Sequence, residues 1–278
     1  NKEKLYEYDI HQDYRFIIDY YDYFECIKKE ELNYITFDIE TNDSVDAIGA
    51  PREIISIVYL LNDKFVFLFL NNKNNNFNPF KSSNDIIVFN EEREMISYFI
   101  KVFRKCNVVT GFNILGFDMV YLFNRAKKLG LDENEFSPIL KIKNNAKEEK
   151  DRMSDKNIDV SGLEIIDTMY YAKNKFFVYS LDKPNQMNLD HVGEFLNLGR
   201  KVKDSRGPST LWKEDPLKLY EYNIQDVKLC RDIENYMGMI DYLLSFKQLM
   251  STFNIKWSLY NSKIIDFLIL CKYSDEYV

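Results

Sequence analysis

The chain has 278 residues, enough for one large or two small domains with a proper core. Hydrophobic residues make up 46 % and aromatics 15 %, which excludes general disorder, while Gly and Pro are scarce (9 and 6), which favours regular structure over turn-rich sandwiches. The net charge of −7 argues against a protein that coats long duplex nucleic acid, since that needs excess Lys and Arg, but it allows a grip on a few nucleotides at one end.

In chain order, residues 1–30 mix charges with Tyr and Phe and read as a peripheral leader. Tyr34–Glu40 alternates strictly, with Ile35, Phe37 and Ile39 on one side and Tyr34, Thr36, Asp38 and Glu40 on the other, a strand pattern. Ile54–Leu60 and Phe65–Leu70 are apolar runs split by Asn62-Asp63-Lys64, which predicts a hairpin. An Asn tract at 71–78 reads as a solvated loop. Glu91–Cys106 places Met95, Phe99, Val102, Phe103 and Cys106 on one helical face, and Val108–Thr110 reads as a short strand. A helix is expected from about Asp118 to Leu129, stopped by Gly130. Residues 132–158 read as a charged insertion, and Val160–Asp167 as a strand interrupted at Ser161-Gly162. Asp215-Pro216 is an N-cap and first-turn pair that opens a long helix, and residues 236–271 are expected to be helical again. Scattered Cys26, Cys106, Cys230 and Cys271 form no zinc or disulfide pattern and read as core residues of a reducing compartment. The longest apolar run, Phe65–Leu70, falls far short of the roughly 20 residues that span a bilayer, so no membrane partner is expected.

Three places carry chemistry. Asp38 and Glu40 share a strand face inside an aliphatic stretch; a water-facing strand edge is the plain alternative. Asp118 follows Asn113-Ile-Leu-Gly-Phe117 at a helix start, where it could serve only as an N-cap. In the helix after Pro216, Lys218, Glu221, Gln225, Lys228 and Asp232 form the solvent stripe. Leu219, Tyr222, Asn223, Asp226, Cys230 and Ile233 form the inward one. Asp226 therefore points inward, with Tyr222 one turn before it and no cation on that stripe, so a metal is the expected partner. Four oxygen-donor acids without His or Cys suit Mg²⁺ or Mn²⁺ rather than zinc. Neither His11 nor His191 lies near these motifs; His191 reads as a surface or cap residue, Asp167 as locally paired, and Arg200–Arg206 as a solvated basic loop.

Phe37-Asp-Ile-Glu-Thr41, Asn113-Ile-Leu-Gly-Phe-Asp118 and Tyr222-Asn-Ile-Gln-Asp226 together resemble the three exonuclease motifs of family B DNA polymerases. Between the motifs, Phe136-Ser-Pro-Ile-Leu140 and Ile166-Asp-Thr-Met169 are most similar to the T-even phage branch. The resemblance covers roughly residues 30–270. It implies a ribonuclease-H-like mixed α/β sheet with flanking helices, and a 3′–5′ exonuclease that hydrolyses single-stranded DNA ends with two Mg²⁺ or Mn²⁺ ions. By the resemblance, Asp38, Glu40 and Asp226 hold the ion that activates water. Asp38 also touches the second ion, which Asp118 supports, and Tyr222 orients the water with Glu40. Asn113, Phe117 and Thr41 are implied as substrate-binding positions, and Glu221 stands where histidine-type relatives carry His.

The organisation expected is a leader at 1–30, the exonuclease domain at 31–235, and C-terminal helices at 236–278 leading towards a polymerase palm that this chain lacks. Ser258-Leu-Tyr-Asn261 matches the palm motif in three letters only and reads as helix. The expected partners are a DNA 3′ end and a palm and fingers in the same or a partner chain, in the cytoplasm of a host cell if the source is a phage or virus. An exoribonuclease is the alternative within the same chemistry, and a non-catalytic module of a split polymerase the alternative outside it.

Overall fold

The computed structural model describes residues 33–72, 79–144 and 158–249, together with Phe16, Tyr20, Ile265 and residues 268–272. Residues 32–237 form one compact unit that contains every element discussed below except the last helix.

The chain opens with β1 (Tyr34–Thr41), then the hairpin of β2 (Ile54–Leu61) and β3 (Lys64–Leu70). Asn62 and Asp63 both take positive φ, the backbone that a tight two-residue hairpin requires. A strand not expected from the sequence, β4 (Ile86–Phe89), runs parallel to β3 at the sheet edge. Helix α1 (Glu92–Phe103), β5 (Val108–Gly111) and α2 (Asp118–Lys128) follow, and Gly130 at φ 70 stops α2 as expected.

The expected strand over Val160–Asp167 is instead two strands in two sheets. β7 (Ile158–Val160) pairs with β6 (Ile142–Asn144), and β8 (Glu164–Asp167) pairs with β5. Gly162, at φ 88, makes the turn between them, so the interruption seen in the sequence marks a change of sheet. Short helices α3 (Thr168–Tyr171), α4 (Leu189–Phe195) and α5 (Pro208–Glu214) come next, none of them expected. Asp215 then caps α6 (Pro216–Tyr236), its side chain accepting from the Lys218 N–H at 3.2 Å. Helix α7 (Met239–Leu249) lies outside the compact unit. Most of the leader, most of the Asn tract, part of the 132–158 insertion and Ser258–Asn261 lie outside the described residues.

The main sheet has the order β4-β3-β2-β1-β5-β8, antiparallel within β1, β2 and β3 and parallel elsewhere. β1 is therefore central and covered on both faces, which is why β2 reads as an almost unbroken apolar run. On one side Phe37 meets Phe99 and Phe103 of α1, with ring centroids 5.3 and 6.0 Å away. On the other side α6 packs along β1, β2, β3 and β5. This is the ribonuclease-H-like mixed sheet with flanking helices that the motifs imply. Among the described residues, no helix is long and apolar enough to cross a membrane.

Candidate active site

The polar side of β1 is not an open strand edge: Asp38 and Glu40 are half-buried. Thr36 is fully buried and α6 lies over Asp38 and Glu40, so the alternative of a solvated strand edge fails. The covering helix brings Asp226 to the same spot: one oxygen from each of Asp38, Glu40 and Asp226 lies within 4.8 Å of the others. Three carboxylates this close repel one another, and burial penalises their charge further. Burial, together with the charge on Asp226, pushes Asp38 up to about 7. Burial, then Asp38 and Asp226, holds Glu40 well above the ordinary carboxylate range, and burial also raises Asp226.

Two side chains hold this group in place. Asn223, one helical position from Tyr222 and fully buried, donates from Nδ2 to Asp38 Oδ2 at 2.7 Å and accepts from Ser56 Oγ of β2 at 3.1 Å. Lys201 places its ammonium 2.6 Å from Asp226 Oδ2 and 5.2 Å from the centroid of the Tyr222 ring. The partner of Asp226 in the metal-free protein is thus a lysine from a loop rather than from the helix's own stripe, and the expectation that Arg200–Arg206 is merely a solvated loop is corrected. The loop is aimed inward by Asp190, which accepts from the Lys201 N–H at 2.9 Å. At Gly193 a side chain would collide with the Gly199 carbonyl at 2.8 Å, so the glycine lets α4 approach this loop closely. The two arginines of the loop are spent on acids, Arg200 on Glu194 and Arg206 on Asp204 and Asp215. A second cation, Arg231 of α6, is also buried against β1, further along the helix.

Asp118 is not an N-cap. It is the first residue of α2, Phe117 occupies the cap position without a side-chain bond, and Asp118 Oδ1 instead accepts from the Ile39 N–H of β1 at 3.1 Å. Burial and then the Asp38 charge hold its carboxyl well above the usual range. It flanks the three-acid group without being one of the closely clustered set. The turn that delivers it is tied by Asp167, which accepts from the N–H groups of Asn113 and Leu115 at 3.2 and 3.0 Å while capping α3 through Tyr170. Asn113 sits at φ 63, and Gly111 passes so close to the Phe37 carbonyl that a Cβ would lie 2.6 Å from it. Asp167 is a tether for the second motif, not a ligand.

Tyr222 is half-buried, one turn before Asp226, with its hydroxyl pushed up to about 12 by burial against the opposing effect of Lys201. Phe117 packs its ring, tilted, against Tyr121 with centroids 5.5 Å apart and remains half-buried. Thr41 follows a register shift between Glu40 and Thr41, and its hydroxyl donates to the Ser44 carbonyl at 2.8 Å. The structure thus brings together Asp38, Glu40, Asp226 and Tyr222 and places Asp118 beside them, while Thr41 turns to its own loop. His191 sits in the first turn of α4, where its N–H donates to the capping Asn188 at 2.9 Å.

The donor set suits a hard divalent cation. The candidate ligand atoms are carboxylate oxygens, and Asp226 Oδ1 is buried with no hydrogen-bond partner among the described residues.

A family model described as the exonuclease domain of family B DNA polymerases matches residues 5–192, more than half of the chain. That span holds the first two motifs and stops before Tyr222 and Asp226, which join the site only through the packing of α6 on β1. A DNA-directed DNA polymerase of Enterobacteria phage T4 is 29 % identical over 163 residues, which is 56 % of this chain and 17 % of the phage protein. The chain therefore matches less than a fifth of that relative's length.

Proposed function

Because this chain belongs to the exonuclease domains of family B DNA polymerases, we propose that it is a divalent-metal-dependent 3′–5′ exonuclease acting on single-stranded DNA ends. It releases nucleoside monophosphates and proofreads for a polymerase whose palm and fingers lie in the same chain or in a partner. Residues 31–235 carry the nuclease, the 236–278 segment leads towards the palm, and the reaction takes place in the cytoplasm, that of the host cell if the source is a phage or virus. The observation that carries the reading is the convergence of Asp38, Glu40 and Asp226 with the orphaned Asp226 oxygen.

Two bound Mg²⁺ or Mn²⁺ ions would supply the positive charge that activates water and neutralises the phosphate in its transition state. The chain's own residues do the rest. Asp38, Glu40 and Asp226 would hold one ion, and Asp118, whose carboxyl feels the charge of Asp38, would support the other. Asn223 holds one oxygen of Asp38 and so restrains the orientation of its carboxylate. Tyr222, half-buried beside Glu40, positions the attacking water through its hydroxyl. With its pKa pushed up, that hydroxyl stays protonated near neutral pH and can donate. Lys201 neutralises Asp226 when no ion is bound and lies near enough to reach a substrate phosphate. Phe117 and Asn113 line the approach for the terminal nucleotide.

End-labelled single-stranded DNA and RNA of the same sequence, incubated with Mn²⁺ or with EDTA, test the reading. The expected result is a Mn²⁺-dependent ladder shortening from the 3′ end of DNA. Shortening of RNA at the same rate moves the assignment to an exoribonuclease. No shortening of either strand leaves the chain a non-catalytic module.

A further inference from the structure

The side of β1 that faces α6 is polar along its whole length: Tyr34, Thr36, Asp38 and Glu40. Apolar contact is non-directional and cannot by itself choose where a helix stops along such a face. Asn223 of α6 meets Asp38, Arg231 meets Thr36, and Glu234 meets Thr36 and Tyr34, so the helix runs antiparallel to β1 with its second half over the start of the strand.

That second half holds a buried polar cluster which the chemistry above does not use. The carboxylate of Glu234 accepts from Thr36 Oγ1 at 2.9 Å, from the Tyr34 hydroxyl, from Thr168 Oγ1 at 2.7 Å and from Cys230 Sγ at 3.4 Å. Arg231 Nε lies 3.5 Å from the same carboxylate and donates to Thr36 Oγ1 at 2.9 Å. Its terminal nitrogen donates to the Leu60 carbonyl of β2 at 3.2 Å, and the guanidinium lies 3.6 Å from the centroid of the Tyr34 ring. Thr36 in turn meets Thr110 of β5 at 2.8 Å.

We propose that the Arg231–Glu234 pair is a register lock that sets the position of α6 along β1, and thereby where Asn223 and Asp226 meet Asp38 and Glu40. Its bonds reach β1, β2 and α3, and none of them can be kept if the helix slides. A slide of one residue moves α6 by about 1.5 Å, beyond the roughly 0.5 Å within which a ligand set must be held. Arg231 and Glu234 lie one and a half to two turns beyond Asp226, so they are positioning residues, not ligands. The functional consequence rests on the metal reading above.

Buried ion pairs add little net stability when compared with apolar residues of similar volume. The two roles therefore separate experimentally. In Arg231→Met/Glu234→Leu the hydroxyls of Tyr34, Thr36 and Thr168 lose a buried acceptor, so the metal-free protein is expected to melt somewhat lower yet remain folded. Backbone amides of α6 around Asn223–Asp226 exchange about tenfold faster, and Mn²⁺, followed by loss of its free-ion EPR signal, binds about 10–100-fold more weakly. Glu234→Asp keeps the charge but shortens the side chain by one methylene; it moves both readouts in the same direction and decides the matter should the double variant fail to fold. Unchanged exchange and unchanged Mn²⁺ affinity in the folded variants overturn the lock. If the unmutated protein takes up no Mn²⁺, the metal reading falls, and amide exchange in the metal-free protein still decides the lock.

Discussion

Lys201→Met removes the ammonium that sits 2.6 Å from Asp226 and keeps an unbranched stem of similar length. In the metal-free protein this cation is the charge opposing repulsion among Asp38, Glu40 and Asp226, each of which it draws towards its ionised form. Breaking a fully buried pair costs about 3–5 kcal/mol, whereas an exposed pair contributes about 0–1 kcal/mol. Asp226 is 3 % exposed but the Lys201 side chain 32 %, which places this pair between those limits, at about 2 kcal/mol. With an unfolding entropy of about 2.1 cal/mol/K per residue, a unit of this size should melt about 5 °C lower. The effect on metal runs the other way. A divalent ion entering the variant supplies the missing positive charge and has no ammonium to displace, so Mn²⁺ binds more tightly and recovers most of the lost stability. Thermal melts near neutral pH, in EDTA and in saturating Mn²⁺, give the four numbers needed. Equal melting of the variant and unmutated protein in EDTA would refute the argument, as would the same loss in both conditions.

The acid group also sets a pH dependence. Asp38, raised to about 7, keeps its proton in the folded chain at pH values where the unfolded chain has released it, so metal-free stability falls as pH rises from the ordinary carboxylate range through about 7. Glu40, Asp118 and Asp226 shift in the same direction, so the gap in melting temperature between Mn²⁺ and EDTA should widen between about pH 5 and about pH 8; a constant gap contradicts the coupling. Tyr222→Phe keeps the ring and removes one hydroxyl, so cleavage should slow about 10²–10³-fold with Mn²⁺ affinity unchanged. Asp226→Asn should lose both, and a Tyr222→Phe protein cutting at full rate would reduce Tyr222 to a packing residue. Blunt duplex DNA should be degraded more slowly than single strands, because each terminal step unstacked costs about 1.4 kcal/mol; equal rates at matched salt would exclude a pocket that accepts only a frayed end.

Much of the site was legible because its signals are local. The alternation in Tyr34–Glu40 determines that Asp38 and Glu40 share a face, the Asp215-Pro216 cap starts α6, and the helical period puts Tyr222 and Asp226 on one side of it. Those periods follow from backbone geometry and need no partner. Which surfaces meet is another matter, because it depends on sheet order and on residues far apart in the chain. Only the central place of β1 in β4-β3-β2-β1-β5-β8, with the long helix packed along it, shows that its polar side is covered by α6 rather than an open edge. Lys201 carried no periodic signal, sitting in a loop whose two arginines bind local acids; a loop position becomes a site position only when Asp190 and Gly193 fold it inward. Asn223 lay on the inward stripe, yet its role depends on Ser56 and Asp38 arriving from two different strands. The apolar run of β4 was short enough to pass for a loop, and the break at Ser161-Gly162 for a kink, since strand pairing is a long-range choice that a window of neighbours does not contain. Local periodicity determined which side chains share a face; long-range packing decided which faces meet, and so where the four acids find one another.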